Sequence, residues 1–326
     1  MPFLPAADTV QVRLGNGIEV STGSGTLLLD PSREAANAVV THAHLDHLRA
    51  GAHMTPPTLD VLRVRRPASS GFALRYGEPL EVGGMEVVLH DAGHVLGSAM
   101  VEVSGVLYTG DFNPAPGLTC GRAEPRACDV LITESTFGDP RFDLPPKAMV
   151  LDSVEAWTLR KLLNGPVALG AYQLGRAQEL VALLNRAGQV PVVSPDIGAI
   201  NAVYNAYGHD LAYAVAGSPR ARELEQGNAP WVVPRAWLKK GSDFSRKMRA
   251  EGGAAAYLSG WCHLYTYFNA YDIEAQFALS DHAGFRDLIA FIEQCSPKRV
   301  LTTHGRAKAL AREIRKRLRI PADELV

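Results

Sequence analysis

One short segment, THAHLDH, places three histidines and an aspartate within six residues: His42, His44, Asp46 and His47. Imidazole nitrogens and carboxylate oxygens suit a borderline cation such as zinc. Four side chains on one loop cannot complete two coordination shells, so further ligands have to come from distant parts of the chain. A fold built around this segment must therefore bring several loops together at one point.

Three later stretches supply such ligands, each after an apolar run that predicts a strand. HDAGHVLGSA contains His94 between Gly93 and Gly97, LYTGDFNP contains Asp111, and VLTTHGRA contains His304. A single histidine in such a place is more often a core or surface residue. The occurrence of all three at strand ends, in this order, favours a metal centre instead.

The composition is that of an ordinary globular chain. It has 326 residues, of which 47% are hydrophobic and 21% charged, enough for one large or two smaller domains. No apolar run reaches the roughly 18 residues of a membrane span, and the amino terminus lacks signal-peptide features, so we expect a cytoplasmic protein with no membrane contact. The four cysteines lack CxxC spacing, which argues against a thiolate zinc site.

Basic residues are clustered although the net charge is only -1. The segment from Arg306 to Arg319 has seven basic residues and one acid, Glu313. The segment from Arg235 to Arg249 is similarly one-sided. A solvated helix face explains either run alone. Two such runs in one chain favour local contacts with a polyanion.

The hydrophobic pattern changes along the chain. From about residue 10 to 134, short alternating runs predict strands. After DPRFDLPP, apolar strands alternate with amphipathic helices, which predicts a parallel sheet covered by helices. The first helix, DSVEAWTLRKLLNG, is expected to start at its Asp and Ser residues. We therefore predict one domain formed by residues 1–149 and 256–326, with an inserted domain at 150–255.

Together, THAHLDH, GH, TGD and the late THG resemble the motifs of the metallo-β-lactamase superfamily. The resemblance spans nearly the whole chain and implies an α/β fold, an αββα sandwich, with two metal ions at the sheet edges. It assigns His42, His44 and His94 to one zinc. It assigns Asp46, His47 and His304 to the other, with Asp111 bridging and Asp30 supporting.

Three further stretches resemble the β-CASP nuclease branch. Glu134 in DVLITESTFGDP matches its motif A, His282 in FALSDHAGF its motif B and His304 its motif C, while LGRAQEL resembles a helix start in its inserted domain. Alone, each stretch has a plainer explanation. The first could be a turn after a strand, His282 a residue at a helix start, and LGRAQEL a helix start whose Glu179 stabilises the first turn. Together around an α/β insert they favour β-CASP, and imply an inserted parallel α/β domain.

This resemblance implies hydrolysis of nucleic-acid phosphodiesters. We expect His282 to be the general acid, held by Glu134, while Asp46 and Asp111 offset metal charge. Backbone amides near two turns are candidates for phosphate binding: Gly175, Arg176, Ser259 and Gly260. Three aromatic residues are candidates for base stacking, with core packing as the alternative: Trp261, Tyr265 and Tyr267.

The substrate is less defined than the reaction. The chain length and the sequences of the motifs resemble those of ligase-associated DNA exonucleases, which implies a DNA ligase or helicase as repair partners. His304 also suits RNA 3′-end processing nucleases.

An inactive nucleic-acid-binding scaffold is the alternative from another class of protein, although scaffolds characteristically lose metal ligands that this chain retains. A thioester or lactam hydrolase is the third. Single-stranded DNA or RNA is thus the expected partner, and two zinc ions the expected cofactors, with manganese as the alternative.

Overall fold

The computed structural model describes residues 10–326. Two compact units make up this part of the chain. The first runs to Pro114 and also includes Gly121–Asp139 and Asp287–Val326; the second consists of Ala115–Cys120 and Pro140–Arg286. Within the described residues, no helix is both long and apolar enough to cross a membrane.

The helices lie in both units. They are α1 (Pro56–Arg65), α2 (Lys147–Leu162), α3 (Arg176–Arg186), α4 (Pro195–Ala206), α5 (Pro219–Glu225), α6 (Asp243–Ala250), α7 (Phe285–Cys295) and α8 (Ala307–Arg317).

The first unit contains two sheets. Six strands form the first sheet in chain order: β1 (Gln11–Gly15), β2 (Gly17–Thr22), β3 (Gly25–Leu29), β4 (Ala38–Val39), β5 (His53–Met54) and β6 (Phe72–Ala73). Its first three strands are antiparallel, and β3 to β6 are parallel.

Seven strands form the second sheet. They are β7 (Leu80–Val82), β8 (Met85–Asp91), β9 (Ala99–Val103), β10 (Val106–Tyr108), β11 (Val130–Glu134), β18 (Arg299–Thr303) and β19 (Ala322–Glu324). Their spatial order is β19-β18-β11-β10-β9-β8-β7. Strand β8 alternates as a half-buried strand should, with Met85, Val87 and Leu89 buried and Glu86 exposed.

The two sheets share one apolar core. Val20 and Leu27 of the first sheet belong to the same buried cluster as Val87 and Val101 of the second. Sheets that bury one face each against the other produce a sandwich. The predicted metallo-β-lactamase sandwich is therefore confirmed at the level of the fold.

The second unit is a parallel sheet with helices α2 to α6. Its strands are β12 (Val167–Ala171), β13 (Val192–Val193), β14 (Ala214–Val215), β15 (Pro230–Pro234), β16 (Ala254–Leu258) and β17 (Ala275–Phe277). Their order is β14-β13-β15-β12-β16-β17, and every pair is parallel. Strands β12 and β16 are buried along their whole length, as continuous apolar runs between two helix layers require.

Two details differ from the sequence-based expectation. The second unit contains the predicted insert, residues 150–255, and extends past it at both ends, because β16 and β17 belong to its sheet. The predicted boundaries themselves stay predictions. Helix α2 begins at Lys147 after Pro146, not at Asp152, because Val150 and Leu151 are buried along with the rest of its inner face.

Candidate metal centre

Four side chains of the first unit converge on one point. They come from three loops, which follow β4, β8 and β10. Each offers one donor atom, and these atoms all lie within 4.8 Å of one another: His42, His44, His94 and Asp111. We call them the four-donor cluster. Three of the four are buried and His44 is half-buried.

The distances inside the cluster fit a tetrahedral ion. His44 Nδ1 lies 3.1 Å from Nε2 of His42 and 3.1 Å from Nε2 of His94. Asp111 Oδ2 lies 3.5 Å from His42 Nε2 and 3.8 Å from His94 Nε2. In a tetrahedral arrangement, ligands about 2.1 Å from a central zinc ion would be about 3.4 Å from one another. Three imidazoles and a carboxylate with this spacing fit a divalent cation.

A hydrogen-bond relay orients the His42 ring. Thr41 Oγ1 donates its only proton to Asp30 Oδ2 at 2.7 Å, so it accepts from His42 Nδ1 at 3.0 Å. With the proton on Nδ1, Nε2 of neutral His42 presents a lone pair towards the other donors. Outer partners that fix a tautomer in this way are typical of metal-binding histidines.

Asp30 holds His47 in the same manner. The Asp30 Oδ2 atom lies 2.9 Å from His47 Nδ1 and accepts from the Tyr108 hydroxyl at 3.0 Å, while Oδ1 accepts from the Thr41 amide at 2.7 Å. Burial alone would raise the pKa of Asp30, but the His47 charge and the hydrogen bonds with His47 and Thr41 lower it below the ordinary value. Asp30 is therefore a carboxylate that keeps His47 fixed, and its role as a supporting residue of a metal site stays a prediction.

The His47 imidazole faces two carboxylates with its other nitrogen. Nε2 lies 3.8 Å from Asp111 Oδ2 and 3.9 Å from Asp46 Oδ2. Burial alone would lower the pKa of His47, but the charges of Asp30 and Asp111 outweigh it and raise the pKa to about 10. A pocket that stabilises a positive charge so strongly also suits a cation, which would replace the proton on Nε2.

His304 lies beside His47 at the end of β18. Their ring centroids are 5.5 Å apart. His304 adopts the left-handed backbone region, with a φ of 56°, and Gly305 follows with a φ of 54°. A Cβ on Gly305 would lie 2.5 Å from the Ser135 carbonyl oxygen, so only glycine fits this turn. Together with Asp46, which is 81% exposed and lies 3.9 Å from His47 Nε2, these residues form a looser second group around His47.

A second glycine turn joins two ligand loops. Gly93 has a φ of 65°, and a Cβ there would lie 2.4 Å from the Asn113 carbonyl oxygen. The Asn113 amide donates to the Ala92 carbonyl oxygen at 2.8 Å. The loop that carries His94 and the loop that carries Asp111 are therefore in direct backbone contact, which keeps these two candidate ligands together.

Glu134 ends strand β11 and is buried. Its Oε1 atom accepts from the Phe112 amide at 2.9 Å, and Oε2 accepts from the Thr136 amide at 3.4 Å. Because Phe112 directly follows Asp111, Glu134 stabilises the turn that presents the Asp111 side chain. Glu134 belongs to the first unit and His282 to the second, and the predicted hydrogen bond between them stays a prediction.

His282 lies on the loop between β17 and α7, where it is half-buried. Its amide donates to Ser280 Oγ at 2.9 Å, and Ser280 Oγ donates back to the His282 carbonyl at 2.9 Å. The preceding Asp281 is buried and forms an ion pair with Arg176 at 3.0 Å. The loop that carries the predicted general acid is thus stabilised by the Ser280 hydrogen bonds and by the ion pair of Asp281 with Arg176.

The predicted phosphate-binding groups already have partners within the second unit. The Gly175 amide donates to Gln178 Oε1 at 2.7 Å, and the Ser259 amide donates to the Phe277 carbonyl at 3.1 Å. Gly260 is buried at the start of a 3-10 helix, and Arg176 pairs with Asp281. These contacts stabilise the two turns, and the phosphate assignment stays a prediction.

The three aromatic candidates lie at the carboxyl end of β16 and after it. Trp261 packs edge-on against Phe142 at 5.3 Å, and Tyr267 packs edge-on against Tyr257 at 4.9 Å. Tyr265 is 44% exposed. The packing of Trp261 and Tyr267 agrees with the core-packing alternative, and only Tyr265 presents substantial ring surface.

A buried ion pair was not predicted from the sequence. Lys147 Nζ lies 2.9 Å from Glu179 Oε1, with exposed side-chain fractions of 10% and 3%. Glu179 Oε1 also accepts from the Leu118 amide at 3.1 Å. Burial alone would lower the pKa of Lys147, but the Glu179 charge raises it. Glu179 therefore does more than stabilise the first turn of α3. It anchors the start of α2 and the segment around Leu118.

Comparison with known proteins agrees with this architecture. The family described as "Zn-dependent metallo-hydrolase RNA specificity domain" matches residues 271–323. A protein of Opitutus terrae named "Probable DNA ligase" is 31% identical over 304 residues, 89% of this chain and 29% of that protein. The "RNase J-like protein" of Methanocaldococcus jannaschii is 30% identical over 214 residues, 52% of this chain and 51% of that protein.

A third relative is similar over a shorter region. "Endoribonuclease ysh1" of Schizosaccharomyces pombe is 39% identical over 123 residues, 35% of this chain and 16% of that protein. The chain thus spans between about one sixth and one half of the length of these relatives. The four-donor cluster in this sandwich fold is a candidate metal-binding centre, and residues 271–323 match a metallo-hydrolase family. These matches indicate the metallo-β-lactamase superfamily and its β-CASP nuclease branch.

Proposed function

We propose that this protein is a metal-dependent phosphodiesterase that hydrolyses nucleic acid. The observation that carries the proposal is the convergence of His42, His44, His94 and Asp111, within 4.8 Å of one another, in the fold of a nuclease family. Two divalent ions, zinc or alternatively manganese, would occupy the centre. His42, His44 and His94 would hold one of them, and Asp46, His47 and His304 the other, with Asp111 shared.

Each residue has a distinct task in this proposal. Divalent ions at such a centre supply hydroxide at neutral pH and neutralise charge on a phosphoryl group. Asp46 and Asp111 offset part of their positive charge, and Asp30 keeps His47 oriented. His282 donates the proton that the leaving alkoxide needs, with Glu134 as the carboxylate that holds it in position. Gly175, Arg176, Ser259 and Gly260 remain candidates for contacts with backbone phosphates.

The proposed substrate is single-stranded DNA, processed from an end in repair. This choice is supported by the similarity of 89% of the chain to a region of a protein named as a DNA ligase. An exonuclease that trims DNA ends has its natural partners in a ligase and a helicase. A cytoplasmic location goes with this proposal.

RNA processing is the second candidate, supported by different observations. The match at residues 271–323 is to an RNA specificity domain, and two relatives carry ribonuclease names. Under this alternative the same centre would cleave RNA near its 3′ end.

A direct digestion experiment separates the candidates. The chain is reconstituted with zinc or manganese and incubated with single-stranded DNA and RNA of one sequence, with ends free or chemically blocked. Release of mononucleotides from DNA with free ends only is the expected result. Internal cleavage of end-blocked RNA would favour RNA processing. Turnover of a lactam or thioester without any nucleic-acid hydrolysis would contradict the proposal, and the Asp111→Asn variant controls for contaminating nucleases.

A further inference from the structure

The carboxyl edge of the parallel sheet in the second unit gathers a specific set of side chains. Strands β15, β12 and β16 are neighbours and run in the same direction. Ala171 and Pro234 are register partners at the ends of β12 and β15. The next residues, Tyr172 and Arg235, therefore leave the sheet side by side. In open parallel sheets, ligands bind at this edge, outside the carboxyl ends of the strands.

Two guanidinium groups lie over the Tyr172 ring. The Cζ atoms of Arg235 and Arg176 lie 5.1 Å and 5.4 Å from the centre of its ring. At these distances a cation is attracted to the ring face. The Tyr172 side chain is nevertheless 42% exposed, so the ring retains open surface. A half-open aromatic ring next to two cations is thus available at the sheet edge.

The two arginines differ in charge balance. Arg176 is buried and neutralised by Asp281 at 3.0 Å. Arg235 is exposed. Among residues 10–326, no carboxylate oxygen lies within 4.0 Å of its guanidinium nitrogens, the distance that defines an ion pair. Arg235 therefore keeps a positive charge that the protein itself does not balance, beside a ring that can take a flat partner.

An uncompensated guanidinium and an open aromatic ring fit one nucleotide of a single strand. Phosphate binds the guanidinium, and an unpaired base stacks on the ring. An acidic peptide would satisfy Arg235 but would offer no flat group to the exposed part of the Tyr172 ring. We propose that Tyr172 and Arg235 form a nucleotide clamp that holds single-stranded nucleic acid by one base and its neighbouring phosphate. This inference rests on the proposed function and adds a specific contact to it.

Binding of a labelled oligonucleotide tests the clamp. The full chain is titrated into a fluorescent phosphorothioate-linked oligo(dT) of about 15 nucleotides, long enough for one site and resistant to hydrolysis. Tyr172→Leu should weaken binding by about 5-fold to 150-fold, the effect of losing one stacked base, while Tyr172→Phe keeps the ring and the affinity. Arg235→Ala should weaken binding and reduce the salt dependence by about 0.7 in log–log slope, the value for one phosphate of a single strand.

A matched control lies at the other edge of the same sheet. Arg160 is exposed in the last turn of α2, which leads into the amino end of β12. Arg160→Ala should leave the affinity and the salt dependence unchanged. Thermal unfolding of every variant shows whether the second unit is intact, and Tyr172→Phe and Arg235→Lys provide well-folded comparisons.

The outcomes separate the clamp from the nuclease proposal. If wild-type protein hydrolyses DNA or RNA but Tyr172→Leu and Arg235→Ala bind as tightly as Arg160→Ala, the clamp is refuted and the nuclease proposal stands. If polyglutamate displaces the oligonucleotide from wild-type protein but not from Arg235→Ala, the site recognises an acidic peptide, which also refutes the clamp. If wild-type protein neither binds nor hydrolyses nucleic acid, the proposed function fails, and the clamp fails with it.

Discussion

The Nδ1 atom of His47 lies 2.9 Å from Oδ2 of Asp30, and this contact turns Nε2 of the same ring towards Asp111. Asp30→Asn removes the negative charge that fixes the ring while keeping nearly the same volume. Loss of such an outer partner typically lowers metal affinity by about 10-fold to 100-fold. We expect that decrease in competition with a chelator. Asp60→Asn, at an exposed ion pair with Arg63, is the matched control and should retain wild-type affinity.

Asp111 belongs to the four-donor cluster and also lies close to His47 in the looser second group. Its Oδ2 atom is 3.5 Å from His42 Nε2 and 3.8 Å from His47 Nε2. Asp111→Asn should therefore weaken both metal sites, and metal analysis after gel filtration should find fewer than two ions per chain. Asp129 directly precedes strand β11, at the end away from Glu134, and Asp129→Asn should keep the wild-type metal content. Two ions per chain in Asp111→Asn would show that this residue is not the shared ligand.

His282 is predicted to move a proton and to bind no metal. His282→Ala should retain the wild-type metal content and lower the rate of hydrolysis by about 100-fold to 10,000-fold, the usual contribution of general acid catalysis. Metal analysis and hydrolysis are measured on the same preparation. His209→Ala, a half-buried histidine packed against Tyr204, should change neither quantity. A parallel loss of metal and activity in His282→Ala would contradict the role of general acid.

The ligand loops could be predicted from the sequence because each is a local pattern. An apolar strand ends, a glycine permits a sharp turn, and a histidine or aspartate follows, as in the stretches around His94, Asp111 and His304. The parallel inserted unit followed from the hydrophobic periodicity, and the sandwich and the family followed from the resemblance that these motifs carry. All of this depends on residues close together in the chain.

Contacts between distant residues could not be predicted in this way. Nothing near Lys147 indicates that it faces Glu179, and nothing near Arg176 indicates that it faces Asp281, because those pairs form only when the second unit folds. The start of α2 was misplaced for a related reason. The Asp and Ser residues offered a local cap, but burial of Val150 and Leu151 extends the helix to Lys147.

The buried pair of Lys147 and Glu179 should be required for the stability of the second unit. Glu179→Gln keeps the acceptor for the Leu118 amide but leaves the Lys147 charge buried without a counter-ion, so we expect the free energy of unfolding to fall by about 3–5 kcal/mol in urea titrations. The double variant Lys147→Met with Glu179→Gln removes both charges and should recover most of that loss. Glu155→Gln, which breaks the more exposed pair with Arg186, should cost less than about 1 kcal/mol. A double variant as unstable as Glu179→Gln alone would mean that the uncompensated lysine charge is not the cause.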